Sequence, residues 1–134
     1  MSKLFAAFLI IFSVHYANAQ QAAFYNDIQN FKKQDSIQSP PQHAILFVGS
    51  SSFTKWTDVQ DYFPGTTIIN RGFGGSSLPD VIRYAKDIIF PYNPIQVVVY
   101  CGDNDFASSD TVSSDLVVSR VKTCLLYTSD AADE

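Results

Sequence analysis

The chain has 134 residues, of which 46% are hydrophobic and 16% charged, with a formal net charge of −4. Such a composition suits one globular domain at most and excludes a chain that is disordered or membrane-embedded throughout. Weak acidity without any basic cluster also excludes electrostatic recognition of nucleic acid.

Met1-Ser2-Lys3, an apolar stretch from Leu4 to Val14 and the small-residue step Ala17-Asn18-Ala19 form the pattern of a secretory signal peptide. Residues 1–19 are therefore set apart from the fold, and the remainder is expected to be exported, to the periplasm or beyond. The apolar stretch is shorter than the roughly 20 residues that cross a bilayer, so no membrane span is expected after cleavage.

Gln21 to Gln34 reads as a helix, with Ala22, Tyr25, Ile28 and Phe31 recurring at three-residue intervals, ended by Ser39-Pro40-Pro41. Ala44 to Val48 is a short continuous apolar run, the signature of a strand buried on both faces, closed by Gly49-Ser50-Ser51-Ser52. The β-branched run Thr66 to Asn70 follows the turn signal Pro64-Gly65 and predicts a second strand, which enters Arg71-Gly72-Phe73-Gly74-Gly75.

Ser77-Leu78-Pro79-Asp80 starts a helix by three signals: a capping serine, a proline tolerated in the first turn and an aspartate at the capping-box spacing. Val81, Ile82, Ala85 and Ile89 are its expected apolar face. Ile95 to Cys101 is the strongest strand signal, closed by Gly102-Asp103-Asn104-Asp105. From Thr111 to Lys122, Val112, Leu116, Val117 and Val121 fall at helical spacing, with Asp110 placed to cap.

Cys124 to Glu134 reads as a one-frame translation of a common transposase-based sequencing adapter, so 124–134 is expected not to be native. Gln20 to Thr123 then carries eight Lys and Arg against ten Asp. Cys101 is the only thiol of that segment, and a structural disulfide is not expected.

Alternating strands and helices, with strands buried on both faces, predict an α/β fold: an open parallel sheet with helices on each side, in three layers. In such sheets ligands bind beyond the carboxyl ends of the strands, where the strand order reverses. All three strand ends carry chemistry. Ser51 just past a buried strand is a candidate nucleophile, although Gly-Ser runs are ordinary turn material. Gly74-Gly75 lets backbone approach a reacting carbonyl and offer an N–H to an oxyanion, and the Asn104 amide supplies a second donor. Each feature alone is more often a turn; their coincidence at three successive strand ends favours a site.

These three segments resemble the first three sequence blocks of the SGNH (GDSL-like) hydrolase family. Ile45 to Ser52 is similar to the first block, with Gly49-Ser50-Ser51 in place of the usual Gly-Asp-Ser and Ser51 at the nucleophile's position. Asn70 to Gly75 is similar to the second, whose oxyanion glycine falls on Gly75, with Gly74 as the alternative register. Gly102-Asp103-Asn104-Asp105 matches Gly-x-Asn-Asp, which gives Asn104 the side-chain role in the oxyanion hole and leaves Asp105 structural.

The resemblance covers Ala44 to Asp105 and implies a flavodoxin-like sheet, here truncated after about three strands. It also implies hydrolysis of carboxylic or acetyl esters through an acyl-enzyme, without cofactor or metal. Residues 20–123 are thus expected to be a partial SGNH domain, acting on a small-molecule or polysaccharide-linked acyl ester. The family's last block, Asp-x-x-His, has no counterpart, because no histidine follows His43, so this chain by itself is expected to be inactive. Two rivals stay open. One is a non-catalytic carbohydrate-binding α/β module; the other is an anion site on the serine-rich loop, which lacks any G-x-x-x-x-G-K pattern or basic residue.

Overall fold

The computed structural model of the chain describes residues 21–130, so the expected signal peptide lies outside the described residues, as do the last four residues of the sequence. In chain order the elements are α1 (Tyr25–Ile37), β1 (Ile45–Gly49), α2 (Ser51–Lys55), β2 (Ile68–Gly72), α3 (Leu78–Ile88), β3 (Gln96–Tyr100), α4 (Asp103–Ala107) and α5 (Ser114–Asp130). Short 3-10 turns at Val59–Tyr62 and Phe90–Tyr92 lead into β2 and β3.

The three strands are parallel in the order β2-β1-β3, with Ile45 opposite Ile68 and Gln96, and Gly49 opposite Gly72 and Tyr100. This is the expected open α/β sheet. The chain steps from β1 to one side and then crosses to the other, so the order reverses at β1.

Alternation along β1 divides the core between the two faces of the sheet. Leu46 and Val48 face the larger cluster, built with Ile28 of α1, Leu78, Val81, Ala85 and Ile88 of α3, and Val117 of α5. Phe47 faces a smaller aromatic cluster with Phe53 and Val59, backed by Trp56 and Phe63. Each fully buried Leu, Val or Phe contributes about 2 kcal/mol relative to exposure, so β1, covered on both faces, anchors the fold.

α3 is the most strongly amphipathic helix, and its start follows the sequence signals: the Asp80 carboxylate accepts the Ser77 N–H (3.0 Å) and the Ser77 hydroxyl (2.6 Å). Its buried face is Leu78, Val81, Tyr84, Ala85 and Ile88, with Ile89 just beyond, while Ile82 is only half-buried.

Other elements depart from the sequence reading. In α1 only Ile28 is buried, because Ala22 precedes the helix and Tyr25 turns outward. α5 starts at Ser114, where the Ser113 hydroxyl, rather than Asp110, accepts the first-turn Leu116 N–H at 3.2 Å. β3 is not buried on both faces: Gln96 and Tyr100 are exposed and its three valines half-buried, since it lies at the sheet edge. α5 continues through Cys124, which is buried against the larger cluster. Both Cys101 and Cys124 are free thiols.

Candidate active site

The strand register brings the three predicted site residues to one edge of the sheet. Gly49, Gly72 and Tyr100 stand level across the strands. Ser51 comes two residues after the first, Gly75 three after the second and Asn104 four after the third, so all three leave the carboxyl edge around the central strand, at the point where strand order reverses.

Hydrogen bonds lock the strand ends together. Gly49 accepts the Phe73 N–H at 2.9 Å, and the Ser50 N–H donates to Tyr100 at 3.0 Å. Gly49 itself is obligatory: its φ is +138°, and a Cβ there would lie 2.0 Å from the Tyr100 carbonyl oxygen. Ser50 is buried, and its carbonyl accepts the Phe53 and Thr54 N–H groups of the first turn of α2. Ser51 is the first residue of that turn and is half-buried.

β2 is fastened to α2 from the other side. A Cβ on Gly72 would meet Phe53 Cβ and the Thr54 nitrogen, both at 2.7 Å. Asn70 donates from Nδ2 to the carbonyls of Phe53 (2.7 Å) and Trp56 (3.2 Å), while its Oδ1 accepts the Gly72 N–H (3.0 Å). Asn70 thus supplies the carbonyl partners that the end of a five-residue helix lacks, and it holds α2 in place. Sequence reading used Asn70 only as a landmark in a motif; no local signal marks bonds to residues 14 and 17 positions away.

The loop after β2 bridges Ser51 and Asn104. A Cβ on Gly74 would lie 3.9 Å from Ser51 Cβ, and Gly75 takes a φ of +88°. The next residue, Ser76, is fully buried, and its carbonyl accepts Asn104 Nδ2 at 2.9 Å and the Cys101 thiol at 3.4 Å. Burial, and then the Asp105 carboxylate nearby, push the Cys101 thiol up to about 12, so it remains a protonated donor. One amide hydrogen of Asn104 is spent on orientation; the second is left for a ligand. Phe24, stacked edge-on against Phe73, lies 3.9 Å from where a Gly75 side chain would begin.

Among the described residues the one histidine is His43. His43 is exposed and precedes β1, at the amino end of the sheet. A five-residue strand is roughly 16 Å long, which places His43 beyond reach of a hydroxyl at the carboxyl end.

No protein-family model and no curated protein sequence matches the chain. Among solved structures it is similar to a candidate acylhydrolase from Bacteroides fragilis, at 18% identity and a TM-score of 0.68 over 81% of this chain and 54% of that one. It is also similar to a GDSL-like lipase from Bacteroides thetaiotaomicron, at 16% identity and a TM-score of 0.66 over 78% and 54%. A third, a candidate GDSL-like lipase from Parabacteroides merdae, gives 15% identity and a TM-score of 0.55 over 69% and 56%. These likenesses establish a shared α/β fold, and the chain spans about half the length of each of those proteins.

Proposed function

We propose that the chain is the front part of a serine ester hydrolase of the SGNH type, with Ser51 as nucleophile and with the Gly75 N–H and Asn104 Nδ2 as oxyanion donors. The observation that carries this reading is the register: three short segments at the ends of three parallel strands converge on one edge, tied by the Asn104 bond to Ser76. The neighbours whose fold the chain shares are an acylhydrolase and GDSL-like lipases by name, which supports the same class.

In this mechanism a histidine takes the Ser51 proton as the oxygen attacks the acyl carbonyl. The carbonyl π electrons move onto oxygen, where the two donors hold the charge. Collapse expels the alcohol, protonated by the same histidine, and water repeats the sequence to release the acid. The histidine and its orienting aspartate belong to the half of the fold that the chain does not span, so this polypeptide alone is inactive. Residues 1–19 direct export, and 124–134 are not native. The substrate is a carboxylic or acetyl ester, small or polysaccharide-linked.

The test is recovery of the uninterrupted gene across Thr123, expression of its product and labelling with a fluorophosphonate. Labelling of wild type, lost in Ser51→Ala, is expected, together with an Asp-x-x-His block downstream. A complete product that has no such block and takes no label sinks the hydrolase reading and favours the carbohydrate-binding module.

A further inference from the structure

We infer that Asp105 is a positioning residue for the oxyanion hole, held in its working geometry by Arg120; the inference rests on the hydrolase reading above. Asp105 is fully buried. One carboxylate oxygen accepts the Leu78 N–H at 2.8 Å, and the other accepts Arg120 Nη1 at 2.8 Å. Leu78 opens α3 immediately after the loop that carries Gly75.

α4 therefore grips that loop at two points. Asn104 holds the Ser76 carbonyl, and Asp105, one residue on, holds the Leu78 N–H. Two bonds from adjacent residues of one short helix, straddling Ser77, fix both the position of the loop and the rotation of α4. They set the separation between the Gly75 amide and the free hydrogen of Asn104.

α3 has a local tie of its own, in which Asp80 binds the Ser77 N–H and hydroxyl, whereas the Leu78 N–H at its first helical position is met from another strand end by Asp105. A second carboxylate at the same helix end brings the desolvation cost of a fully buried charge. Arg120, reaching in from α5, offsets that cost. The geometry gains a rigid coupling between two donors that come from different strand ends, and donors preorganised toward developing charge are where acyl-transfer enzymes gain most. Misplacement by about 1 Å can lower a rate about 100-fold.

The experiment uses the product of the uninterrupted gene, with ester hydrolysis and 15N NMR measured on the same variants. Asp105→Asn removes the charge at nearly constant volume. It is expected to lower kcat by about 10- to 100-fold with KM changed less than about threefold, and to move the Gly75 amide and Asn104 side-chain signals. Arg120→Met should act in the same direction, and Arg120→Lys should recover most of the loss. Val81→Ala, in the buried face of α3, serves as the control for stability and should leave kcat and those signals in place.

If Asp105→Asn keeps kcat within about twofold of wild type, or loses activity only in proportion to its folded fraction, Asp105 is an ordinary core carboxylate and the inference fails. If wild type is inactive, the hydrolase reading fails. The NMR comparison then still decides whether Asp105 positions the loop, since unmoved Gly75 and Asn104 signals reject it.

Discussion

The two edges of the sheet are finished in different ways. Along the outer edge of β2 the backbone groups turned away from β1 meet side chains of the protein itself. Gln60 Oε1 accepts the Ile68 N–H (2.9 Å) while its Nε2 donates to Thr66 (2.7 Å), Asn70 Oδ1 takes the Gly72 N–H, and Arg71 Nη1 donates to the Asn70 carbonyl (3.0 Å). Along β3, no side chain among the described residues bonds the backbone of Gln96–Tyr100, and the valines are half-buried. An edge strand exposes a ladder of donors and acceptors that another strand can use. β2 is therefore closed to further pairing, whereas β3 retains the capacity to extend the sheet, next to the helix that carries Asn104.

The sharpest way to break this contrast is to open the closed edge. Arg71 lies between the rings of Phe31 and Tyr92, with its guanidinium carbon 5.2 and 5.0 Å from their centroids. It binds the Tyr92 hydroxyl at 2.7 Å and pairs with Asp35 of α1. Arg71→Met leaves Asp35 partly buried without its cation and uncaps the Asn70 carbonyl, so a loss of about 3 kcal/mol is expected, the lower end for removing one partner of a buried pair. Urea unfolding measures it. A loss below about 1 kcal/mol would mean that α1 is held on β2 by packing instead of by these polar ties.

That network also marks how far the sequence is legible. Ala44–Val48, Thr66–Asn70 and Ile95–Cys101 announce three strands by composition, and the candidate site residues at their ends are read from motif spacing. The observed strands lie one residue further on at β1 and two at β2 than composition predicts, because Gly49 and Gly72, which look like loop residues, still pair in the ladder. α2 and α4, five residues each, are too short for a hydrophobic period to show. The polar ties are a different case: Asp35, Arg71 and Tyr92 meet across 21 to 57 positions, as Asp105 meets Leu78 across 27. Composition reports whether a residue prefers water, and it carries no record of which distant partner compensates its burial.

A subtler probe of the closed edge uses its one phenol. Tyr92 is fully buried and donates to Asp35 at 2.6 Å. Burial first, then that hydrogen bond, push its pKa up to about 12 from 10.0, against the opposing pull of Arg71. Because the folded state holds the proton more tightly, this contribution is intact below the unfolded pKa and is lost as pH climbs from about 10 toward 12, at up to about 1.4 kcal/mol per unit. Tyr92→Phe is expected to cost about 1 kcal/mol at neutral pH, for one hydrogen-bonded hydroxyl, and to flatten the alkaline fall in stability. The Cys101 and Cys124 thiols, pushed by burial from 9.0 up to about 12 and about 11, contribute to the part of the fall that persists. An unchanged alkaline slope in the variant would show that Tyr92 does not link α1 to the sheet through its proton.

The smallest effect on stability belongs to the open edge. Gln96 is exposed at the start of β3, so Gln96→Lys should change the unfolding free energy by no more than about 0.5 kcal/mol. Its effect on association should be larger, since a lysine on an unpaired edge disfavours strand addition by a second chain. Sedimentation over a range of concentrations should show less self-association in Gln96→Lys than in wild type. The matched substitution on the other side is Gln60→Ala, which frees the Ile68 N–H and the Thr66 carbonyl. If Gln60→Ala raises association while Gln96→Lys leaves it unchanged, β2 is the edge kept from pairing only by its side chains, and β3 is protected by something other than charge. If Gln96→Lys alone lowers it, β3 is the edge at which this sheet accepts its next strand.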